Sequence, residues 1–500
     1  MRLHLLAAAV GLGLALAGCA SSGGLHPDGT PIDPSSLKAA QSLANVPASA
    51  AWPSADWWTG LGDPQLDALI GEALADNPTL AIADARAHQA QAVVGAADAT
   101  RQPTFNVGGS VADARIPTTL PGLGNGHMTP ARYVYGSFNW DIDLWGGKRA
   151  AWEAAVGQAR AAEIEARAAR VELSSNVARA YVQLGYAYTQ QDLAKAELQR
   201  ADAARRLTAQ RVAAGIDNQM QLKQGDAEVA SAQEQLAVAG RAIDAAQSAL
   251  SVLLGKGPDR GRGIGRPHLL SPAALAVPAN LPVDLVGHRA DLVAARWRVE
   301  AAGKDIKAAK TQFLPNLNLG AMVGLISMGE ASLFQLPARF YDVAPAVSLP
   351  VFDGGRRRAN LSGKDAQYDL AVAQYNQTLV RAVNDVADDV DALQSLLQQA
   401  EAQQRALTAA RDAERLAEQR YKAGVGSYLE TLSVRQQLLV AEQRMAALQA
   451  QQSDQSVQLI QALGGGYRPE DQARRGGYRP AADQPPAPTA SVSPASEHHS

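Results

Sequence analysis

The chain has 500 residues, of which 47% are hydrophobic and only 5% are aromatic, and its formal net charge at pH 7 is −3. A chain of this length can bury a large core, and few aromatic residues beside abundant Ala and Gln favour long, closely packed helices. The small net charge and the lack of a long Lys/Arg run give no electrostatic basis for a nucleic-acid partner.

The N-terminus has the features of a bacterial secretion signal, which we assign to residues 1–18. A basic start precedes an apolar run from Leu5 to Leu16, which is shorter than the ~20 residues of a membrane-spanning helix. The run ends in LAGC at residues 16–19, which resembles a bacterial lipobox, and Cys19 is the only cysteine, so no intramolecular disulfide can form. The resemblance implies that Cys19 becomes a lipidated N-terminus. The next two residues lack the aspartate that retains many lipoproteins at the inner membrane, which favours the outer membrane.

The middle of the chain is a tandem duplication. Residues 19–55 form a linker rich in Pro, Ser and Gly, and the Pro-rich residues 467–500 are predicted to be disordered. Between them, five residues recur later at one constant offset: Leu80, Arg86, Val94, Pro103 and Asn106 return as Leu292, Arg298, Ile306, Pro315 and Asn318. We predict two repeats, 56–256 and 282–466, joined by a connector at 257–281. Each repeat contains a helix, two strands and two long helices, and its length is far too great for a solenoid unit.

Two segments in each repeat alternate apolar and polar residues, which predicts β-strands. Val134, Phe138 and Trp140 share one face of a segment whose other face carries Tyr133 and Ser137. The segments 317–325 and 341–351 alternate in the same way, and the pattern at 105–111 is fainter. One such strand alone would be an ordinary half-buried strand, but four have the length of tilted membrane strands with one wet face. Since the smallest membrane barrels need about eight strands, we expect the chain to oligomerise.

The remaining length is predicted to form long helices. Stretches without proline from about Gly147 to Arg211 and from Gly355 to Arg420 predict helices of ~90 to 100 Å, at ~1.5 Å per residue. Apolar residues between Leu379 and Leu397 are spaced alternately by four and three positions, as in a coiled coil. Each long helix ends in a Gly-containing turn, so we predict two helix-hairpin tips at the end of the rods farthest from the strands.

Several passages resemble the outer-membrane factor family of efflux and secretion ducts, in the lipoprotein branch near the fusaric acid resistance channels. They are Trp57-Trp58, Gly62 to Leu66, Asn77 to Leu80, Trp140 to Gly147, Arg289 to Asp291, Phe313 to Pro315, Pro350 to Gly355 and Leu463 to Gly466. The match runs from about 57 to 467, and Ala290 replaces a proline that is usual in the family. The resemblance implies a mainly α chain with four strands, three copies of which form a twelve-stranded membrane β-barrel above an α-barrel of coiled-coil helices.

The resemblance also implies a function and partners. It implies a lipid-anchored homotrimer in the outer membrane, a passive duct of a tripartite efflux pump that exports small toxic compounds. The partners would be a periplasmic adaptor protein and an inner-membrane transporter of the resistance-nodulation-division, major-facilitator or ABC type. Two alternatives stay open, a duct for secreted polypeptides and a structural lipoprotein that tethers the outer membrane. We expect no enzyme and no cofactor, because the eight histidines show no metal-ligand spacing outside the tail and no nucleophile-elbow or Walker motif is present.

In such ducts the tunnel is narrowed at the hairpin tips. The residues that match these tips are Arg211, Gly215 and Gln221 in the first repeat and Arg420, Tyr421, Gly424 and Glu430 in the second. Gln221 stands where an acid would face the tyrosine, and Ser433 stands where relatives carry aspartate. We therefore expect a closed state held by neutral hydrogen bonds and by a ring of three copies of Glu430. The alternative, that Glu430 is a solvated glutamate on a helix surface, stays open.

Overall fold

The computed structural model describes residues 23–39, 41–43, 48–49, 52–115, 117–119, 126–268, 277–278, 281–329 and 331–468. The predicted signal segment, the predicted lipidation site Cys19 and residues 469–500 of the predicted tail lie outside these residues.

The same series of elements occurs twice along the chain. The first series is α1 (Pro64–Asp76), α2 (Pro78–Ala99), β1 (Thr104–Arg115), β2 (Met128–Ile142), α3 (Gly147–Ala213) and α4 (Gln219–Leu253). After the short helix α5 (Pro258–Arg262), the second is α6 (Leu281–His288), α7 (Ala290–Thr311), β3 (Asn316–Met328), β4 (Arg339–Ser348), α8 (Arg356–Lys422) and α9 (Tyr428–Ala462). Helices α3 and α8 each have 67 residues, and α4 and α9 each have 35. The predicted mainly α fold with four long strands is confirmed, and the described residues add one short parallel pair, Ala48–Ser49 with Val277–Pro278.

The four strands form one antiparallel sheet in the order β1-β2-β3-β4, so that strands from the two series pair in its centre. The register places Phe105 beside Phe138, Phe138 beside Ala321, and Ala321 beside Val343. The predicted apolar residues of all four strands therefore share one face, and the predicted polar residues share the other. Arg132 and Arg339, which pair with Val111 and Leu325 at one end of the sheet, also lie on the apolar face. Strands β1 and β4 each pair on one side only, which leaves two unpaired edges in the single chain.

Local sequence signals explain where the helices begin. Asp63 and Asn77 accept hydrogen bonds from the backbone N–H groups of Gln65 and Thr79, and a proline occupies the first position of both α1 and α2. The long helices follow a glycine with positive φ, Gly146 at 71° before α3 and Gly355 at 90° before α8. Asp143 then accepts from the backbone nitrogens of Lys148 and Arg149 at 3.1 and 2.8 Å, so a carboxylate compensates the positive end of the helix dipole.

The helices pack through two seams of buried apolar residues. In α8 the seam from Leu379 to Leu393 is buried, as the spacing predicted, whereas Leu397 at the end of the pattern is 50% exposed. In α3, Val177, Tyr181 and Leu184 are fully buried against α1 and the connector. Gly157 brings α3 and α7 close together, because a Cβ atom at this position would lie 2.9 Å from the Cβ of Ala301. Side by side, these helices form the wall of a shaft about 100 Å long.

Candidate functional site: the tips of the helical hairpins

The two hairpin tips are built by the same backbone turn. Gly215 has a φ of +74°, and Gly424 has a φ of +77°. The N–H of Ile216 donates to the carbonyl of Arg211, and the N–H of Val425 donates to the carbonyl of Arg420. This pattern ends a helix with a residue in the left-handed region, which glycine adopts at the lowest cost. Both predicted tip glycines therefore lie in the turns, and each turn reverses the chain into the shorter helix.

Gln221 lies in the first turn of α4, where it caps the helix. Its Oε1 accepts from the N–H of Asn218 at 2.8 Å, and its own N–H donates to the Oδ1 of Asn218 at 3.1 Å. This reciprocal pair is a capping box, which satisfies two backbone donors that the helix leaves free. In this chain Gln221 is thus engaged within its own turn. The hypothesis that it faces Tyr421 stays a prediction.

The residue that Tyr421 does contact is Asp217. The hydroxyl of Tyr421 donates to Oδ2 of Asp217 at 3.0 Å, while Arg211 donates to both carboxylate oxygens, at 2.8 and 3.3 Å. The guanidinium of Arg211 also lies 4.7 Å from the centre of the Tyr421 ring. The side chain of Asp217 is only 6% exposed, and Tyr421 is 5% exposed. This tip cluster of Arg211, Asp217 and Tyr421 joins the first hairpin to the second.

Charge in the tip cluster is well compensated. The paired Arg211 guanidinium, assisted by the Tyr421 hydroxyl, lowers the pKa of Asp217 below its ordinary value. Burial, together with the Asp217 carboxylate as hydrogen-bond acceptor, raises the pKa of Tyr421. At neutral pH the cluster therefore holds an ionised aspartate, an arginine cation and a neutral phenol. Within one chain the contact is charge-assisted, in contrast to the neutral hydrogen bonds that we expected from Gln221.

Glu430 has a cation nearby in its own chain. Its Oε1 lies 3.8 Å from Nε of Arg420, and both side chains are about half exposed. Its N–H donates to Oγ of Ser427, the N-cap of α9, at 3.0 Å. Two more predicted tip residues, Arg420 and Glu430, thus come together. The ring of three Glu430 carboxylates requires other copies of the chain and stays a prediction.

A second charged cluster lies farther up the shaft, where α3 meets α4 and α9. Arg200 donates to Glu197 at 3.2 Å and to Glu442 at 3.4 Å, and thereby connects α3 to α9. Burial raises the pKa of Glu197 and of Glu228, although both lie near the cation of Arg435. Sequence reasoning missed this cluster, since nothing in the spacing of single charged residues distinguishes it from a solvated helix surface.

The polar face of the sheet continues into the shaft. Nδ2 of Asn318 donates to Asn139 and to Asp141, at 2.6 and 2.5 Å, and Nζ of Lys148 lies 3.3 Å from Oδ2 of Asp141. These side chains form a hydrophilic path from the sheet to the start of α3. Over the described ranges, no group of three or more His, Cys, Asp or Glu residues is arranged to hold a metal ion.

Known proteins resemble the chain over most of its length. The family model of outer membrane efflux proteins matches residues 69–256 and 281–465. The chain is 32% identical to the multidrug resistance outer membrane protein MdtP of Escherichia coli (strain K12), over 93% of the chain and 96% of MdtP. It is 35% identical to the fusaric acid resistance protein FusA of Burkholderia cepacia, over 72% of the chain and 69% of FusA. The crystal structure of the outer membrane protein VceC of Vibrio cholerae superposes with a TM-score of 0.79 at 35% identity, covering 83% of the chain and 100% of VceC.

Proposed function

Because the chain belongs to the outer membrane efflux protein family, we propose that three lipid-anchored copies form one passive duct of a tripartite efflux pump. The observation that carries this proposal is the four-stranded sheet with an apolar face, a polar face and two unpaired edges. An open edge cannot lie in lipid, because its N–H and C=O groups would have no partner there. Three such sheets supply twelve strands, which exceeds the roughly eight that a closed membrane barrel needs.

The helices support the same assembly. In the described part of the chain, α4 is the one helix that is long and apolar enough by composition to cross a membrane. Only 28% of the residues in its most apolar stretch are buried. Val238 and Val252 on this helix are 58% and 72% exposed. A helix that packs against α3 through one side leaves the other side for a neighbouring copy. We assign this exposed apolar surface to contacts between copies within an α-barrel.

We propose that the hairpin tips form the periplasmic entrance of the duct. There the tip cluster holds the two hairpins of a chain together, and Glu430 together with Arg420 would line the constriction. A periplasmic adaptor protein and an inner-membrane transporter of the resistance-nodulation-division, major-facilitator or ABC type would deliver cargo to this end. The relatives are named for multidrug and fusaric acid resistance, so we propose small toxic compounds as the cargo. No catalytic step is assigned to the chain.

Reconstitution tests this function directly. The mature protein, extracted in mild detergent, should have the mass of three copies by light scattering and should conduct ions across a planar bilayer. Deletion of the gene should sensitise its host to a subset of toxic compounds, and the intact gene should restore resistance. A monomer without conductance would refute the duct. Normal resistance in the deletion strain, with a polypeptide lost from the medium, would favour the secretion duct instead.

A further inference from the structure

A groove lies where the sheet meets the helices. It has a volume of about 740 Å³ and is lined by the end of β2 and by residues next to or within α2, α3 and α7. Trp140, Leu144 and Trp145 form its wall on the side of the sheet and are 36%, 58% and 49% exposed. Trp140 pairs with Leu319 in the register and lies on the apolar face of the sheet. The wall therefore continues the surface that we place against lipid.

Both indole rings are held in place by the protein itself. The Nε1 of Trp140 donates to the carbonyl of Arg101 at 3.2 Å, and the Nε1 of Trp145 donates to the carbonyl of Pro315 at 2.7 Å. With their only polar atoms satisfied, the rings offer apolar surface to the groove. Tryptophan in this arrangement is typical of the border between acyl chains and headgroups.

The opposite side of the groove is cationic. Four basic residues, from three helical regions, line it: Arg101, Arg149, Lys304 and Lys307. Two carboxylates line the groove with them, and Asp143 is already bonded to the first backbone N–H groups of α3. Arg101 is paired with Asp98, just outside the groove, at 2.9 Å. Glu153 is shared between Arg149 at 3.0 Å and Lys304 at 2.7 Å. Lys307 has no carboxylate within 4.0 Å among the residues that the structure describes, so positive charge remains for a ligand.

An independent feature places this groove at the membrane surface. Residues 28–32 run along α8, where the N–H groups of Asp28 and Gly29 donate to Asp369 at 3.0 and 2.7 Å. This strap reaches the start of α8, since a Cβ on Gly23 would lie 3.7 Å from Nε of Arg358. Arg358 is the third residue of α8 and Arg149 the third of α3, so both lie at one level of the shaft. Cys19 is four positions before Gly23 in the chain, so an extended backbone allows the predicted lipid anchor to lie at most ~14 Å from this level.

We propose that this groove binds the headgroup phosphate of an anionic phospholipid from the periplasmic leaflet of the outer membrane. The phosphate lies among Arg149, Lys304 and Lys307, and the acyl chains lie against Trp140 and Leu144. The positive charges attract the phosphate, and the apolar wall favours a phosphate that belongs to a lipid over free phosphate. Each copy would then hold one lipid between the sheet and the shaft. This inference rests on the proposed function, since it requires the apolar face to lie in a membrane.

Lipid counting by native mass spectrometry tests the inference. The full-length protein is reconstituted into nanodiscs of phosphatidylcholine mixed with phosphatidylglycerol, and the phosphatidylglycerol retained per assembly is measured. The double variant Lys304→Gln/Lys307→Gln should bind this lipid roughly tenfold more weakly. Lys195→Gln is the control, because Lys195 is an exposed residue of the shaft that bonds Gln191 and should retain as much lipid as the native protein.

The other outcomes would overturn the inference. Equal retention by the double variant and the control would show that the groove does not bind the lipid. Displacement of phosphatidylglycerol from the native protein by millimolar inorganic phosphate would show a simple anion site. Conductance distinguishes failure of the lipid site from failure of the duct. We place the groove on the lipid-facing side of the sheet, away from the lumen, so the double variant should conduct ions normally. A native protein that retains the lipid but conducts nothing would refute the proposed function alone.

Discussion

Asp217 is the side chain on which the contact between the two hairpins depends. It accepts two hydrogen bonds from Arg211 of its own hairpin and one from Tyr421 of the other. Asp226, nine residues later, is also paired with cations, Arg205 and Lys223, but both belong to the same hairpin. The chain thus contains a matched pair of aspartates, and only one of them links the halves of the duplicated protein.

Asp217→Asn should loosen the tips. The amide keeps the size of the side chain but loses the charge that compensates Arg211, and a buried ion pair is costly to break from one side. We expect faster hydrogen exchange at residues 211–221 and 417–428, and a higher single-channel conductance in planar bilayers. Asp226→Asn should leave both measurements close to those of the native protein. Equal effects of the two variants would show that the contact between the hairpins does not hold the tips.

The sequence identifies part of this cluster and misses the rest for a physical reason. Arg211 is four positions before Gly215 and Tyr421 is three positions before Gly424, so their place at the end of the shaft could be predicted. Asp217 lies inside the turn itself, and its orientation depends on the positive φ of Gly215 and on the cap that Asn218 provides. Gln221 occupies the expected helical position, but the capping box engages its side chain locally. Spacing predicts which residues are near a turn, not which side chains the turn brings together.

The glycine at the end of a long helix has a measurable conformational role. Nothing lies within 4 Å of a Cβ built on Gly424 or on Gly240, so neither position restricts a methyl group by contact. The two glycines differ in backbone, because Gly424 has a φ of +77° and Gly240 is inside helix α4. Gly424→Ala should destabilise its hairpin by ~1 kcal/mol, and Gly240→Ala should stabilise its helix by ~0.5–1 kcal/mol. Thermal unfolding followed by circular dichroism should show shifts in opposite directions. Shifts of the melting temperature in the same direction would show that the positive φ of Gly424 does not require glycine.

The lengths of the helices were readable from the sequence, whereas the pairing of the strands was not. Proline-free stretches and Gly-containing turns marked α3 and α8 within a few residues of their bounds. The central pairing of β2 with β3 joins residues almost two hundred positions apart, and alternation alone does not say which strands are neighbours. The coiled-coil spacing likewise continues to Leu397, but the buried seam ends at Leu393. Burial at Leu397 depends on whether another helix lies opposite it, and the apolar spacing within one helix gives no information about its neighbours.

Contact between α8 and α9 makes stability depend on pH. Burial at this contact raises the pKa of Asp389 from 3.8 to about 6, against the opposing effect of a 2.7 Å hydrogen bond from Gln455. Between these two values the folded chain binds a proton that the unfolded chain does not, so stability decreases as pH rises from 4 to 6. Above pH 6 the carboxylate is charged in a partly buried position, which is unfavourable.

Asp389→Asn should therefore raise the melting temperature at pH 7.5 and change it little at pH 4. The amide stays neutral at both pH values and can still accept the hydrogen bond from Gln455. Differential scanning fluorimetry over this pH range would measure the effect. Asp412→Asn, at an exposed position paired with Arg415, is the control and should show no such pH dependence. A lower melting temperature for Asp389→Asn at pH 7.5 would contradict the role of burial.

Along its long axis the molecule joins a sheet with an apolar face, which we place against lipid, to a helical shaft that faces water. The sheet presents apolar side chains on one face over its full width, while the helices present charged and amide side chains over most of their surface. A shaft of about 100 Å joined directly to the polar face of the sheet makes one continuous hydrophilic surface. The strap along α8 adds a third element, because the chain runs with it from Asp369 back to Arg358, near the junction of sheet and shaft. Assembly in a membrane depends on keeping the two faces of the sheet distinct.

Neighbouring residues of β3 test that distinction. Val323 pairs with Gly136 and Tyr341 on the apolar face, whereas Met322 pairs with Ser137 and Asp342 on the polar face. Val323→Arg should reduce the yield of heat-resistant trimers in the outer membrane, since an arginine facing lipid near the midplane costs ~2–4 kcal/mol in each copy. Met322→Arg should assemble normally, because water fills the lumen and Asp342 is adjacent. It should shift the reversal potential in a salt gradient towards anion preference. Normal assembly of Val323→Arg, or a loss of trimers in Met322→Arg, would reverse the assignment of the faces and with it the path of the cargo.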